Sequence, residues 1–313
     1  TYIREESKQK RMRQTLLAVV AEGKNGRLYF PPFQNQKDCA SVDAPDNFPS
    51  GQLSGKSKVN VGTNGLNETG DLFSNRQLTA LVTFSELVSG IQSQIASDGG
   101  HSEYAKAIST YLAFALDRAA DAWSGLVSWR NTVEASRNTF ARQALPMVWD
   151  FTEVNPFSAS CGNWTDACIG WVYQSLEHLP CINQGHVQQF DAQSDNGLRN
   201  VMVSTDPPYY DNIAYADLSD FFYVWMRQSL KSLYPDVFKT MLVPKEEELV
   251  ATPYRFNGNT DKARKFFEEG MLKTFKQVHA YACDDLPVTI YYAFKQSEVD
   301  EDDDNGKQTA STG

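Results

Sequence analysis

The sequence has no run of 18 or more apolar residues, which predicts no membrane-spanning helix and no membrane partner. It has no Cys-x-x-Cys pair, and its five cysteines are too few for a scaffold built on disulfides. An odd number of cysteines, in a long chain without a recognisable signal peptide, favours reduced thiols and a cytoplasmic location. The spacings of Cys161, Cys168 and Cys181 relative to His178 and His186 match no usual zinc pattern, so we predict no metal site.

Positive charge is also scarce. The 313 residues include 29 lysines and arginines against 39 acidic residues, which gives a formal net charge of −10. Nucleic-acid-binding proteins are usually basic in places, so this balance argues mildly against a nucleic-acid partner. Part of the excess lies in residues 297–313, whose acidic run indicates an exposed, flexible segment. Arg76, Arg137 and Arg142 fit phosphate contacts and exposed helix faces equally well.

Composition and periodicity divide the chain into four predicted regions. Residues 1–65 are an irregular segment with one helix, over 2–22, and a short strand at 27–30. Residues 66–145 are predicted to be mostly helical. Ser74 with Gln77 forms a capping-box pattern, and apolar residues then recur at helical spacing over 102–124. Residues 146–296 form the third region and the acidic segment 297–313 the fourth.

Strands and helices alternate in the third region. Short strands are predicted at 186–190, ending at Asp191, and at 200–205, ending at Asp206. Helices follow over 218–233 and 261–282, and a β-branched, aromatic strand over 287–294. This alternation predicts an open α/β sheet built from crossover units. Ligands bind such sheets beyond the carboxyl ends of the strands, where both aspartates would lie.

The strongest chemical signal is the run Asp206, Pro207, Pro208 and Tyr209 at a strand end. The carboxylate and the Pro207 carbonyl are two acceptors, the prolines stiffen the turn, and the tyrosine offers a flat aromatic face. These groups match the two hydrogens and the ring of an exocyclic amine on a planar base. The amine nitrogen, held in this way, could attack the methyl group of S-adenosylmethionine. The base has to be flipped out or already single-stranded.

The motif resembles the catalytic motif of amino-group methyltransferases that act on nucleic-acid bases. The longer string STDPPYYDNIAYADLSDFFYVW, over 204–225, resembles a group of large adenine-specific DNA methylases. This group was first catalogued as a domain of unknown function and is often encoded near phage-defence genes. The stretches GDLFSNRQL (70–78), NTFARQALPM (138–147) and YYAFKQS (291–297) are similar to the same group.

The resemblance implies a Rossmann-like methyltransferase core, here partial, with a largely helical N-terminal or inserted region. It also implies S-adenosylmethionine as cofactor, DNA as substrate, and methylation of adenine N6 by Asp206 to Tyr209. By the same resemblance Asp191 and Asp206 would contact the cofactor, although a helix N-cap or surface turn explains Asp191 equally well. Tyr210, Asn212 and Tyr215 would line the base pocket. Other defence proteins would be partners.

One feature of the family is missing. Such enzymes carry a glycine-bearing turn between a strand and a helix that passes close to the methionine part of the cofactor. None of the glycines here follows a suitable strand, and in the family this turn would lie upstream of residue 1. We therefore expect an incomplete cofactor site in this chain. The alternatives are a catalytically incomplete module that binds nucleic acid or a defence partner, and a methyltransferase for cytosine N4 or for RNA.

Overall fold

The computed structural model describes residues 2–179, 182–210 and 213–292. These residues are 44% helical and 8% strand, so a mixture of helices and small sheets is confirmed. None of the helices among them is both long enough and apolar enough to cross a membrane. Contacts group the described residues into two compact units: one within 1–191 and Ala214–Glu248, the other within Ala192–Ile213 and 249–292. The four regions drawn from composition stay a prediction.

The elements alternate irregularly along the chain. The helices are α1 (Tyr2–Lys8), α2 (Gln34–Ala40), α3 (Asn75–Ser97), α4 (Ser102–Ala122), α5 (Gly170–His178), α6 (Tyr215–Leu230) and α7 (Thr260–Tyr281). The strands are β1 (Val19–Gly23), β2 (Gly26–Phe30), β3 (Trp129–Arg130), β4 (Ala135–Ser136), β5 (Ser204–Thr205) and β6 (Thr289–Ile290). They form three separate two-stranded sheets within the described residues.

The N-terminal helix is much shorter than predicted. It ends at Lys8, and Lys10 then adopts φ +54°, in the left-handed region that stops a helix. The apolar residues that were predicted to continue it form β1 instead, which pairs antiparallel with β2. Gly26, at φ +126°, supplies the turn between the two strands. The helix predicted over 2–22 was therefore wrong beyond its first two turns, whereas the strand at 27–30 is confirmed.

Three helices build the core of the first unit. The N-cap Ser74 accepts a hydrogen bond from the Gln77 N–H (3.2 Å), and the Gln77 side chain accepts one from the Ser74 N–H (2.8 Å), so the predicted capping box is confirmed. Helices α3, α4 and α6 pack on one another through side chains that include Leu81, Leu116 and Trp225, all fully buried. Residues 123–145 are not helical, contrary to prediction, and contain the β3–β4 hairpin.

The second unit contains a short parallel pair. Strands β5 and β6 pair in parallel, with Ser204 opposite Thr289. Strand β5 ends where predicted but begins at 204 instead of 200. Strand β6 begins two residues after Pro287, which has no N–H to donate to a ladder, and the last two residues of its predicted range lie outside the described residues. Burial alternates from Met202 (68% exposed) and Val203 (9%) into β5, where Ser204 is exposed, so one face is open. Parallel sheets of doubly wound folds are covered on both faces, and a Rossmann-like core is not confirmed.

The strand predicted over 186–190 is absent. These residues pair with no other strand, and Val187 is 94% exposed. Its neighbours Gln188 and Gln189 are polar, so the segment has no apolar face to bury against a sheet. The β-branched and aromatic composition that suggested a strand was too weak to form one here.

Candidate functional site

Asp206 is the first residue after β5. The Val203 carbonyl accepts a hydrogen bond from Thr289 N–H (3.0 Å), and the Thr205 carbonyl accepts one from Tyr291 N–H (2.8 Å). The ladder ends there because Pro207 and Pro208 follow. The Asp206 side chain is consequently exposed at the carboxyl end of a parallel strand, as the sequence predicted.

Tyr209 places its ring beside this carboxylate. The ring is half-buried and meets Tyr292 edge-on, with ring centroids 5.6 Å apart and planes at 80°. Partial burial, the negative charge of Asp206 and a side-chain hydrogen bond to Asp206 together raise the pKa of the Tyr209 phenol. The phenol therefore stays protonated near neutral pH, and a neutral aromatic surface lies next to a charged acceptor.

Tyr210 anchors the turn rather than lining an open pocket. Its N–H donates to the Tyr292 hydroxyl (3.1 Å), and its carbonyl accepts from the Ala251 N–H (2.6 Å). Its ring packs edge-on against Phe267 of α7, with centroids 5.1 Å apart. These contacts fix the backbone directly after Asp206 to Tyr209, so the two side chains are presented from a braced turn.

Sequence reasoning missed Tyr292. This residue is two positions past the end of β6 and 82 positions from Tyr210, and it contacts both tyrosines of the turn. The signal that could have found it is topological, because neighbouring parallel strands end at the same edge of a sheet. Its stretch did contribute to the family resemblance, but no role was assigned to it.

The acceptor geometry suits an amine. Asp206 contributes an exposed carboxylate, and nothing within the described ranges donates a hydrogen bond to the Pro207 carbonyl. Two acceptors beside a half-exposed aromatic ring can hold the two hydrogens of an amino group on a planar ring that stacks alongside. The arrangement can therefore orient an amine-bearing substrate.

The other predicted site residues are not among the described residues of the second unit. Asp191 and Tyr215 belong to the first unit, and Asn212 lies outside the described residues. Asp191 is exposed and follows no strand, so the strand-end position on which its cofactor role depended is wrong. Tyr215 is the first residue of α6, where its carbonyl accepts from the Ser219 hydroxyl (2.7 Å).

Two other groups of candidates have structural partners. The aromatic residues of α6 pack in the first unit, where Phe221 stacks on Phe73 with centroids 5.5 Å apart. Arg76 forms a two-pronged ion pair with Glu153 (2.6 Å and 2.8 Å) and also donates to the Ala40 carbonyl, so its charge is neutralised. The part of the chain that the structure describes has no group of three or more His, Cys, Asp or Glu side chains that could hold a metal.

The glycine turn expected of a methyltransferase is not found among the described residues. Gly23 and Gly26 form the turn of an antiparallel hairpin, and Gly99 and Gly100 join α3 to α4. No glycine of the described chain follows β5 or β6 into a helix. The residues present therefore do not fit the methionine end of S-adenosylmethionine.

Comparison with known proteins gives no independent guide to the site. Neither the family models, nor the curated proteins, nor the solved structures contain a match to this chain.

Proposed function

We propose that this chain contributes the substrate half of an S-adenosylmethionine-dependent methyltransferase that modifies the exocyclic amine of a DNA base. The observation that carries the proposal is the exposed Asp206 carboxylate at the end of β5, with the half-buried Tyr209 ring beside it. A Rossmann-like core is part of this proposal. It is supported by the parallel β5–β6 pair and by α7, which lies in the connection between them.

The residues of this chain orient the amine. Asp206 accepts one N–H of the amino group, and the Pro207 carbonyl accepts the other. Both hydrogen bonds hold the nitrogen with its lone pair directed away from the acceptors. Tyr209 stacks on the ring of the base, and Tyr292 holds Tyr209 in place from the side. S-adenosylmethionine would supply the methyl group, and because its own site does not fit the described residues we derive no step through it.

The preferred target is adenine N6, because the motif begins with aspartate rather than serine. Cytosine N4 presents the same amine chemistry, and RNA presents the same bases. A base within a duplex has to leave the stack to reach Tyr209, which costs a few kcal/mol and favours single strands. A cytoplasmic setting and association with defence proteins belong to the same proposal.

Transfer of a labelled methyl group tests the proposal. The folded chain is incubated with S-adenosylmethionine labelled in its methyl group and with matched single- and double-stranded DNA. Where the reading frame extends upstream, the longer product is assayed in parallel. We expect the longer product to place label in N6-methyladenine, found after digestion to nucleosides, at a higher rate on single strands. The given chain alone should transfer little, because its described residues do not fit the methionine end of the cofactor. Label in N4-methylcytosine would reassign the target, and the absence of label with both proteins folded would contradict the proposal.

A second candidate is a binding module without catalysis. It is favoured by the lack of a glycine turn after a described strand. This candidate predicts that DNA binds to the chain and that no label is transferred even by the longer product. The same assay, accompanied by a DNA-binding measurement, therefore separates the two functions.

A further inference from the structure

Three arginines meet in a cleft of the first unit. Arg118 of α4, Arg130 of β3 and Arg137, next to β4, line a cleft of about 240 Å³. Its walls also include Val154 and Trp171, but no aspartate or glutamate. Arg118 is half-buried, whereas Arg130 and Arg137 are exposed. An anion bound between the three would relieve the repulsion that solvent leaves unscreened, so the cleft favours a negatively charged ligand.

Three carboxylates lie close to the cleft arginines in sequence, and none of them lines the cleft. Asp117, next to Arg118, has an enclosed Oδ1 without a hydrogen-bond partner among the described residues, whereas the other two have partners. Glu134, in the β3–β4 hairpin, accepts a hydrogen bond from the Tyr29 hydroxyl (2.9 Å). Asp121 accepts from the Asn138 side chain (2.6 Å) and from the Phe140 N–H (3.0 Å). Within the described ranges no carboxylate lies within ion-pair distance of the three cleft arginines.

Arg118 is held in position for such a ligand. Its Nε donates to the Ala167 carbonyl (3.1 Å), and its guanidinium lies over the Trp171 ring, 4.7 Å from the centroid. Its two terminal nitrogens donate to no described residue, and neither do those of Arg130 and Arg137. A guanidinium that is fixed at one edge and free at the other is arranged for a bidentate contact with phosphate.

Two cysteines, Cys161 and Cys168, line the cleft, and the buried one does not compete as an anion. Burial raises the pKa of the Cys168 thiol to about 12, although the charge of Arg118 acts in the opposite direction. The thiol is therefore neutral at physiological pH, and it is neither a thiolate nucleophile nor an anionic partner for the arginines. The charge of the cleft remains positive.

We propose that this cleft binds the phosphate group of a phosphate ester. Three guanidiniums can donate to the several oxygens of one tetrahedral phosphate, and Val154 and Trp171 offer an apolar wall for the organic part of the ester. The volume is below the ~300–1,000 Å³ of sites for drug-sized ligands, so the cleft suits a phosphate and its adjoining ester. The phosphate comes either from a free nucleotide or from a nucleic-acid backbone. The proposal does not depend on methyl transfer.

Binding measurements on the full chain test this site and distinguish the two sources. Inorganic phosphate and AMP are titrated by calorimetry, and a fluorescein-labelled single-stranded 12-mer is titrated by anisotropy. Arg130→Gln and Arg137→Gln are compared with the parent. Arg142→Gln is the matched control, because Arg142 is an exposed arginine that lies close in sequence but outside the cleft. Circular dichroism confirms that each variant is folded.

We expect each cleft variant to weaken binding about tenfold, and the control to change it less than twofold. Arg137→Lys keeps the charge but loses the forked contact, and we expect an intermediate loss. Loss of AMP binding identifies a free ester. Loss confined to the oligonucleotide, with a salt slope reduced by about one, identifies a backbone phosphate. If no probe binds the parent, or if the cleft variants match the Arg142→Gln control, the proposal is wrong.

Discussion

A substitution of Asp206 is the clearest test between the two proposed functions, a methyltransferase and a binding module without catalysis. Asp206→Ala should abolish methyl transfer, because one charge-assisted hydrogen bond to the amine is lost, on the order of 2–3 kcal/mol, and the nucleophile is then misplaced as well. Together these losses correspond to a rate decrease of at least about a hundredfold. The measurement is label transfer to DNA by whichever product is active in the parent assay.

The matched control is Asp284→Ala, which removes another exposed aspartate of the second unit. Both variants should melt at the temperature of the parent, because neither side chain is buried. Turnover by Asp206→Ala within threefold of the parent would remove Asp206 from the mechanism.

Tyr209 is expected to act through its ring face. Tyr209→Phe should keep most of the activity, whereas Tyr209→Ala should lose about ten- to a hundredfold, because base–aromatic stacking is worth roughly 1–3 kcal/mol. Phenylalanine also keeps the edge-on contact with Tyr292. Activity and melting temperature are measured side by side. If both variants lose the same activity, in proportion to a lower melting temperature, Tyr209 only stabilises the turn.

Asp117 of α4 makes stability depend on pH. Its Oδ1 is enclosed and has no hydrogen-bond partner among the described residues, and burial raises the pKa of the carboxyl well above its ordinary value. The unfolded chain has a pKa of about 3.9 at this residue, so the folded protein binds the proton more tightly. The resulting stabilisation is complete below about pH 4 and is lost as pH rises through the folded pKa.

Asp117→Asn has no such proton to lose. Its melting temperature should exceed that of the parent at pH 8 and should not exceed it at pH 4. Asp236→Asn, an exposed substitution in the same unit, is the control and should change neither value. If Asp117→Asn raises the melting temperature equally at both pH values, the titration of Asp117 is not the cause of the increase.

At the scale of single residues, the sequence predicts site residues that lie close together along the chain. Asp206 and Tyr209 are only three positions apart. The two residues and the prolines between them were therefore enough to predict the turn and its hydrogen-bond acceptors. Tyr292 was missed because its proximity depends on the pairing of β5 with β6. Asp191 was misjudged because its role rested on a strand at 186–190 that has no partner.

At the scale of elements, the start of α3 gives a direct test of the capping box. Ser74→Ala removes the acceptor for the Gln77 N–H and should lower the free energy of unfolding by about 1 kcal/mol. The control is Ser102→Ala, an exposed serine at the first position of α4 without a hydrogen bond from its side chain to a described residue. Denaturant titration with unchanged m-values measures both. An equal, small effect of both substitutions would mean that the cap contributes little.

Helices were predicted better than strands for a physical reason. A helix satisfies its backbone within a few residues, and the apolar spacing over α3, α4 and α7 therefore reported it directly. A strand needs a second strand to pair with, and the local sequence does not indicate which distant segment that is. Residues 19–23 are an example. They were predicted to continue the N-terminal helix, but they form β1, which pairs with β2.

At the scale of the molecule, composition predicted a mixture of helix and strand, and the structure adds how contacts group the described residues. The first unit includes Ala214–Glu248, which returns to it after the chain has contributed Ala192–Ile213 to the second. Such a return depends on which distant apolar faces meet, for example Phe73 with Trp225. The arginine cleft could not be predicted from the sequence either, because its three arginines come from a helix and from both sides of a hairpin.

The open face of β5 has a consequence for local opening. A pair of strands has no central strand, so each ladder hydrogen bond is one layer from solvent, and Ile290 is 41% exposed. The amides of Thr289 and Tyr291 should therefore exchange with deuterium by local opening, many-fold faster than those near Leu116 in α4. Mass spectrometry of exchanged peptides measures both. The strand pair would then open by itself while the helical core stays closed, and equal protection of both regions would exclude this independent opening.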